Sequence, residues 1–154
     1  MRTREFPGLL FAEVGPLLSN IEEIRFDGDS QWAIAFDEKT IVMAACDEAS
    51  GKLTFWVELT ELPESADSET LQMLLCFNFL WQETGGARIA LNQPGGTVML
   101  VFDVVAEGLD VNTLAHVLEN MVDHTGRWRQ ALRNAAADES ASLELGRPAA
   151  SIRV

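Results

Sequence analysis

Tyrosine is absent from this 154-residue chain, cysteine occurs twice, and 11 lysines and arginines stand against 24 aspartates and glutamates. Without tyrosine, one common acid–base group is missing. Cys46 and Cys76 lie in apolar contexts, outside any Cys-x-x-Cys pair. That excludes a disulfide framework and predicts buried free thiols in a reducing compartment. The formal net charge of −13 argues against nucleic acid, which needs a basic footprint, and against docking on anionic membranes. The acids concentrate between Asp27 and Glu83, where Lys39 and Lys52 are the only bases. Solubility accounts for most of that charge; a neutral or basic partner is its other consequence.

Long hydrophobic runs are also lacking. The most apolar stretch, Leu71 to Trp81, is too short and too closely flanked by acids to span a bilayer, which takes about 20 apolar residues. The start, MRTREFPGLLF, does not read as a secretory leader, because its apolar run is brief and is followed by Glu13 and Pro16. No lipidation box is visible. Motifs of chemistry are missing as well. His116 and His124 lie roughly 12 Å apart along a helix, too far to share one zinc ion. Asp27-Gly28-Asp29-Ser30 lacks the further acids and closing glutamate of a calcium loop. No Gly-x-Ser-x-Gly, P-loop or dinucleotide fingerprint occurs. The sequence therefore predicts no catalytic residue, no metal and no cofactor.

What is present is apolar material, 47% of the chain, enough for the core of one domain. Glu5 to Ser19 has helical spacing at Phe6, Leu9, Leu10, Val14, Leu17 and Leu18, with Pro16 ending or kinking it. Three strands follow: Trp32–Phe36, Ile41–Cys46 and Leu53–Leu59. In the third, Leu53, Phe55, Val57 and Leu59 share one face, and Thr54, Trp56, Glu58 and Thr60 the other. A second helix is bounded by the N-cap Ser68 and by Gly85-Gly86. Leu71, Met73, Leu74, Leu75, Cys76, Phe77, Phe79, Leu80 and Trp81 surround it on all sides, so it should be covered on all sides. A central position in a monomer or a homodimer interface would both satisfy this; symmetric homo-oligomers are common.

Ala87–Leu91 and Thr97–Val105 form a hairpin across Asn92-Gln93-Pro94-Gly95-Gly96. Asp110 caps a last helix whose residues Val111, Leu114, Leu118, Met121, Val122, Thr125, Trp128 and Leu132 make one apolar face. Beyond Asn134 periodicity fades, which predicts a domain over residues 1–134 and a flexible tail over 135–154. The class is α+β, an antiparallel twisted sheet with three helices in the order α-β-β-β-α-β-β-α. Trp56, Met99 and Val101 fall on the sheet face that alternation leaves exposed, as a partner surface or as one covered by a dimer mate or second layer.

Three stretches give the chain a resemblance to the type III secretion chaperones, the class I effector chaperones of the Tir chaperone family. They are Leu9-Leu10 through Gly15; Leu71-x-x-Leu74-Leu75-x-x-Asn78; and Ile89-Ala90-Leu91 to Val98-Met99-Leu100, leading into Leu114 to Trp128-Arg129. The resemblance covers roughly Glu5 to Leu132. It implies a homodimeric chaperone of the bacterial cytoplasm without ATPase activity. Such a protein holds an extended N-terminal segment of a secreted effector non-globular and ready for delivery to the secretion apparatus. It implies a dimer interface on the second helix at Leu71, Leu74, Leu75, Asn78 and Phe79. It also implies effector contacts from the first helix and the sheet, at Leu9, Leu10, Val14, Trp56, Met99 and Val101. The competing reading is a dimeric adaptor domain unrelated to secretion.

Overall fold

The computed structural model describes residues 6–62 and 68–145, with side chains over 7–62 and 68–137. In chain order the elements are α1 (Phe6–Leu17), β1 (Glu23–Gly28), β2 (Gln31–Ala35), β3 (Ile41–Asp47), β4 (Lys52–Glu61), α2 (Ser68–Phe79), β5 (Arg88–Leu91), β6 (Thr97–Val105) and α3 (Val111–Leu145). The strands make one six-stranded antiparallel sheet in the order β1-β2-β3-β4-β6-β5. The α+β class, the three helices and five strands fall where the sequence places them.

The sixth strand, β1, is an addition to the expected order. Glu23-Ile24-Arg25-Phe26-Asp27 alternates charged and apolar residues, and its three charges hide a pattern suited to a strand with one wet face. It joins β2 through Asp29-Ser30, both at positive φ (47° and 58°), the two-residue hairpin geometry that matches strand twist. Asp29 tolerates that conformation better than a branched residue does.

Two helices also differ from expectation. The second ends at Phe79, not at the glycine pair. Residues 80–86 form successive turns, closed by Leu80 N–H to Phe77 O (3.1 Å) and Gly86 N–H to Trp81 O (2.9 Å), with Gly85 and Gly86 at φ 68° and 94°. The buried Thr84 hydroxyl donates to Ala87 O (3.0 Å), and Asn120 Nδ2 donates to Thr84 O (3.2 Å). These bonds tie the turns to β5 and α3 rather than to one more helical turn. The last helix continues to Leu145, so residues 135–145 are helical where composition suggests an irregular tail. Residues 146–154 lie outside the described residues.

Asp110 caps α3 as its sequence position predicts: its Oδ1 accepts from Thr113 N–H at 2.7 Å. All eight residues assigned to the apolar face of α3 are buried or half-buried. They meet Leu53, Phe55, Val57 and Leu59 of β4, Val98 and Leu100 of β6, and Leu10, Phe11 and Val14 of α1 in one core. Helices α1 and α3 thus lie on the same face of the sheet.

A β-bulge at Glu58–Thr60 interrupts the β4–β6 ladder and frees carbonyls that need other donors. Arg129 of α3 supplies them. Its Nε donates to Leu59 O (3.1 Å) and its Nη2 to Glu58 O (2.6 Å) and Lys39 O (2.8 Å), while Nη1 donates to Thr40 Oγ1 (3.1 Å). One guanidinium therefore pins α3 to the bulge and to the β2–β3 turn. Hydrogen bonds to a charged donor contribute about 1.5–3 kcal/mol. Arg129→Ala should lower unfolding stability by about 2 kcal/mol, read as a lower urea midpoint at unchanged slope. A loss below a few tenths of a kcal/mol would show that water replaces the guanidinium at no cost.

Candidate functional site

Helix α2 has two unlike sides. Leu74 and Thr70 are buried, and Phe77 packs edge-on against Trp128 (centroids 5.0 Å) and His124 (5.6 Å) of α3. Asn78 reaches the outward edge of β5: Ile89 N–H donates to Asn78 Oδ1 (2.6 Å) and Asn78 Nδ2 donates to Ile89 O (3.1 Å). The opposite side is bare. Leu71, Leu75 (68% exposed) and Phe79 (84%) recur every four residues along one stripe, and Leu80 and Trp81 continue it into the turns. Of the five residues the sequence assigns to an interface, three line this stripe. Leu74 and Asn78 turn inward and hold the helix to its own chain.

A second apolar surface gathers where α1 meets β1, the other end of the sheet. Helix α1 approaches β1 through Gly15, where even a Cβ would touch Ile24 Cδ1 at 3.4 Å. Leu9 and Phe26 are each 60% exposed; Leu17 is exposed as well, on the side of α1 turned away from Gly15 and β1. Phe26 leans on Trp32 (5.3 Å), which leans on Phe11 (4.9 Å), so an aromatic chain links this edge to the core. Leu10 and Val14, expected to contact a partner, are instead core residues; Val14 is fully buried. The seven-residue spacing of Leu10 and Leu17 hid which side of this short, almost wholly apolar helix faces out. Phe26 went unseen because its strand did; the alternation of Ile24 and Phe26 with charges was the signal that could have found it.

The third surface is the sheet face opposite α1 and α3. Strand register places Arg25, Ala33, Met43, Trp56, Val101 and Arg88 in a row across all six strands. Trp56 and Val101 are half-buried and directly paired; Met99 is buried among its neighbours and offers little surface. Arg88 closes one end of the row through Asp103 (2.7 Å), which also accepts from Thr54 Oγ1 (2.8 Å). Burial alone would raise the Asp103 carboxyl, but these two donors outweigh it and hold its pKa below the ordinary value.

Nothing in these surfaces assembles an acid, a base and an oxyanion donor. Among the described residues, no group of three or more His, Cys, Asp or Glu is placed to hold a metal ion, and no helix is long and apolar enough to cross a membrane. His116 is exposed beside Glu119. Cys76 is exposed rather than buried, and Cys46 is half-buried, its thiol pushed up by burial and by Glu48 and Asp47.

Comparisons with known proteins give the geometry a context. A family model described as the Tir chaperone protein (CesT) family matches residues 17–129. No functionally curated protein matches the chain. Among solved structures, the HopA1–SchA chaperone–effector complex contains a chain 18% identical to this one, covering 84% of this chain and 98% of that one, with a TM-score of 0.69. The ExsC–ExsE complex matches at 20% identity over 86% and 97%, with a TM-score of 0.70. The Yersinia pestis type III secretion chaperone SycH, in complex with a fragment of YscM2, matches at 23% identity over 77% and 96%, with a TM-score of 0.61. At these identities the likeness is one of fold.

The packing of α2 on α3 generates a pH dependence. Burial lowers the pKa of His124 from its ordinary 6.5; Asp123 opposes this, Arg127 adds to it, and the Thr84 backbone opposes it. Below pH 6.5 the unfolded chain takes up a proton that the folded chain resists, so stability should fall with pH through that value. His124→Gln should lose less stability than wild type between pH 7.5 and 5.5, measured by urea unfolding. Parallel curves for the two proteins would remove His124 as the cause.

Proposed function

Because the chain belongs to the Tir chaperone protein (CesT) family, we propose that it is a type III secretion chaperone acting as a homodimer in the bacterial cytoplasm. It binds an extended N-terminal segment of a secreted effector and keeps that segment soluble and non-globular for delivery. The observation that carries this reading is the family match across residues 17–129, which spans the whole sheet and α2. Chaperone–effector complexes among the structural neighbours support it. Holding a segment needs no covalent step, so the chain works without cofactor, metal or nucleotide hydrolysis.

The bare side of α2 is the surface for the second copy. A two-fold axis sets the same stripe against itself, and burying a leucine or phenylalanine contributes about 1.5–3 kcal/mol per side chain. The client lies at the α1–β1 end and over the sheet. Backbone pairing at a free strand edge supplies affinity, and the exposed Leu9 and Phe26 on one face of the sheet, with Trp56 and Val101 on the other, select alternate side chains. The negative field attracts basic client segments at a salt-sensitive rate.

The reading is tested by capturing the partner of the tagged chain from its native cell and digesting the complex. One protected N-terminal segment of a secreted protein is the expected result; protection of a compact folded domain overturns it. Leu75→Glu should convert dimer to monomer in sedimentation with an unchanged circular dichroism spectrum, because Leu75 is exposed in the single chain and its charge would be buried only in the dimer. A folded dimer of unchanged affinity removes α2 from the interface. Leu9→Asp and Phe26→Asp should weaken client binding roughly ten- to hundredfold and leave the dimer intact. Normal calorimetric binding by both variants places the client elsewhere.

A further inference from the structure

The sheet has two edges, β1 and β5, and they are chemically unequal. In an antiparallel ladder, alternate residues turn both N–H and C=O away from the neighbouring strand. On β5 those residues are Ile89 and Leu91, since Asn92 N–H returns to Thr97 O on β6. Both outward groups of Ile89 are taken by the Asn78 amide, donor to acceptor and acceptor to donor, at 3.1 and 2.6 Å. A carboxamide is a peptide group on a side chain, so Asn78 imitates one residue of an adjoining strand. It leaves Leu91 alone to receive a real one, too few bonds to align a chain.

Strand β1 has six residues, half of them with outward groups, and among the described residues no hydrogen bond reaches that edge. Its two flanks differ: Ile24 and Phe26 point to the side of α1, and Glu23, Arg25 and Asp27 to the other. Arg25 is already paired to Asp27 at 2.6 Å, and the net field is negative.

We infer that Asn78 closes the β5 edge against strand addition and so directs an added client strand to β1, where the matching segment alternates apolar and basic residues. This rests on the strand-pairing mode of the proposed function and adds the edge, the residue that chooses it and the pattern of the segment. Asn78 is a positioning residue, held by α2, that shields an edge it does not belong to.

The probe is an acetylated and amidated peptide of about ten residues alternating valine and lysine, matched to the apolar and acidic flanks of β1. Hydrogen exchange is followed by residue, with and without peptide, in wild type and Asn78→Ala. In the wild type the peptide should slow exchange over residues 23–28 and leave 88–91 unchanged. In Asn78→Ala without peptide, the Ile89 amide should exchange about tenfold faster; with peptide, residues 88–91 should be slowed as well. Protection of 88–91 in the wild type, or none at 23–28, overturns the inference, and the wild-type footprint decides this even if Asn78→Ala does not fold. A variant identical to wild type at 88–91 also overturns it. The captured effector segment tests the chaperone reading separately, since that segment can bind without protecting either edge.

Discussion

The pairing of β4 with β6 is the constraint from which the rest of the molecule follows. These strands meet along almost their whole length, from Lys52 opposite Val105 to Glu61 opposite Thr97. Everything between them in sequence, α2 and β5, is thereby displaced to the far side of β6. There, among the described residues, α2 leans on β5 and on the flank of α3. A helix apolar on every side is set where its own chain can cover one side. The bare stripe of Leu71, Leu75 and Phe79 is thus a product of strand order as much as of composition.

Much of this was readable in advance, and the exceptions have common causes. Regular elements with one wet and one dry side, such as β4 and α3, announced both their type and their buried face. Short elements of uniform character did not. Helix α1 is so apolar that its sequence could not say whether Leu9 or Leu10 faces inward; the packing of Phe11 on Trp32 and Phe55 and the approach of Gly15 to Ile24 orient it. Strand β1 failed in the opposite direction, its charges drowning a two-residue period. Asn78 belongs to the pattern of the second helix, yet its amide turns to Ile89 of its own chain. An amide inside an apolar run is as compatible with a partner chain as with the edge of a nearby strand. At the candidate site, Leu9, Trp56 and Leu75 were legible as surface. Val14 and Met99 were not legible as core, because burial there depends on neighbours from distant parts of the chain.

The fold alone does not carry the function. One architecture can host many roles, so the role is argued from the surfaces it presents. The role argued for this chain rests on where its charge and its apolar area lie. The net charge of −13 keeps a molecule with several exposed large side chains dispersed, while the apolar patches sit at opposite ends of one sheet. Those ends can engage two different partners without competing for the same surface.

The four tryptophans fall one to each region: Trp32 in the aromatic chain behind Phe26, Trp56 on the open sheet face, Trp81 beside the bare stripe of α2, and Trp128 under Phe77 where α2 meets α3. With no tyrosine in the chain, nothing else emits appreciably in the near ultraviolet. The protein carries its own optical map. An event at the β1 edge, on the sheet, along the bare stripe or at the root of α2 dims or shifts a different indole, and replacing three of the four by phenylalanine leaves a single lamp over a chosen surface.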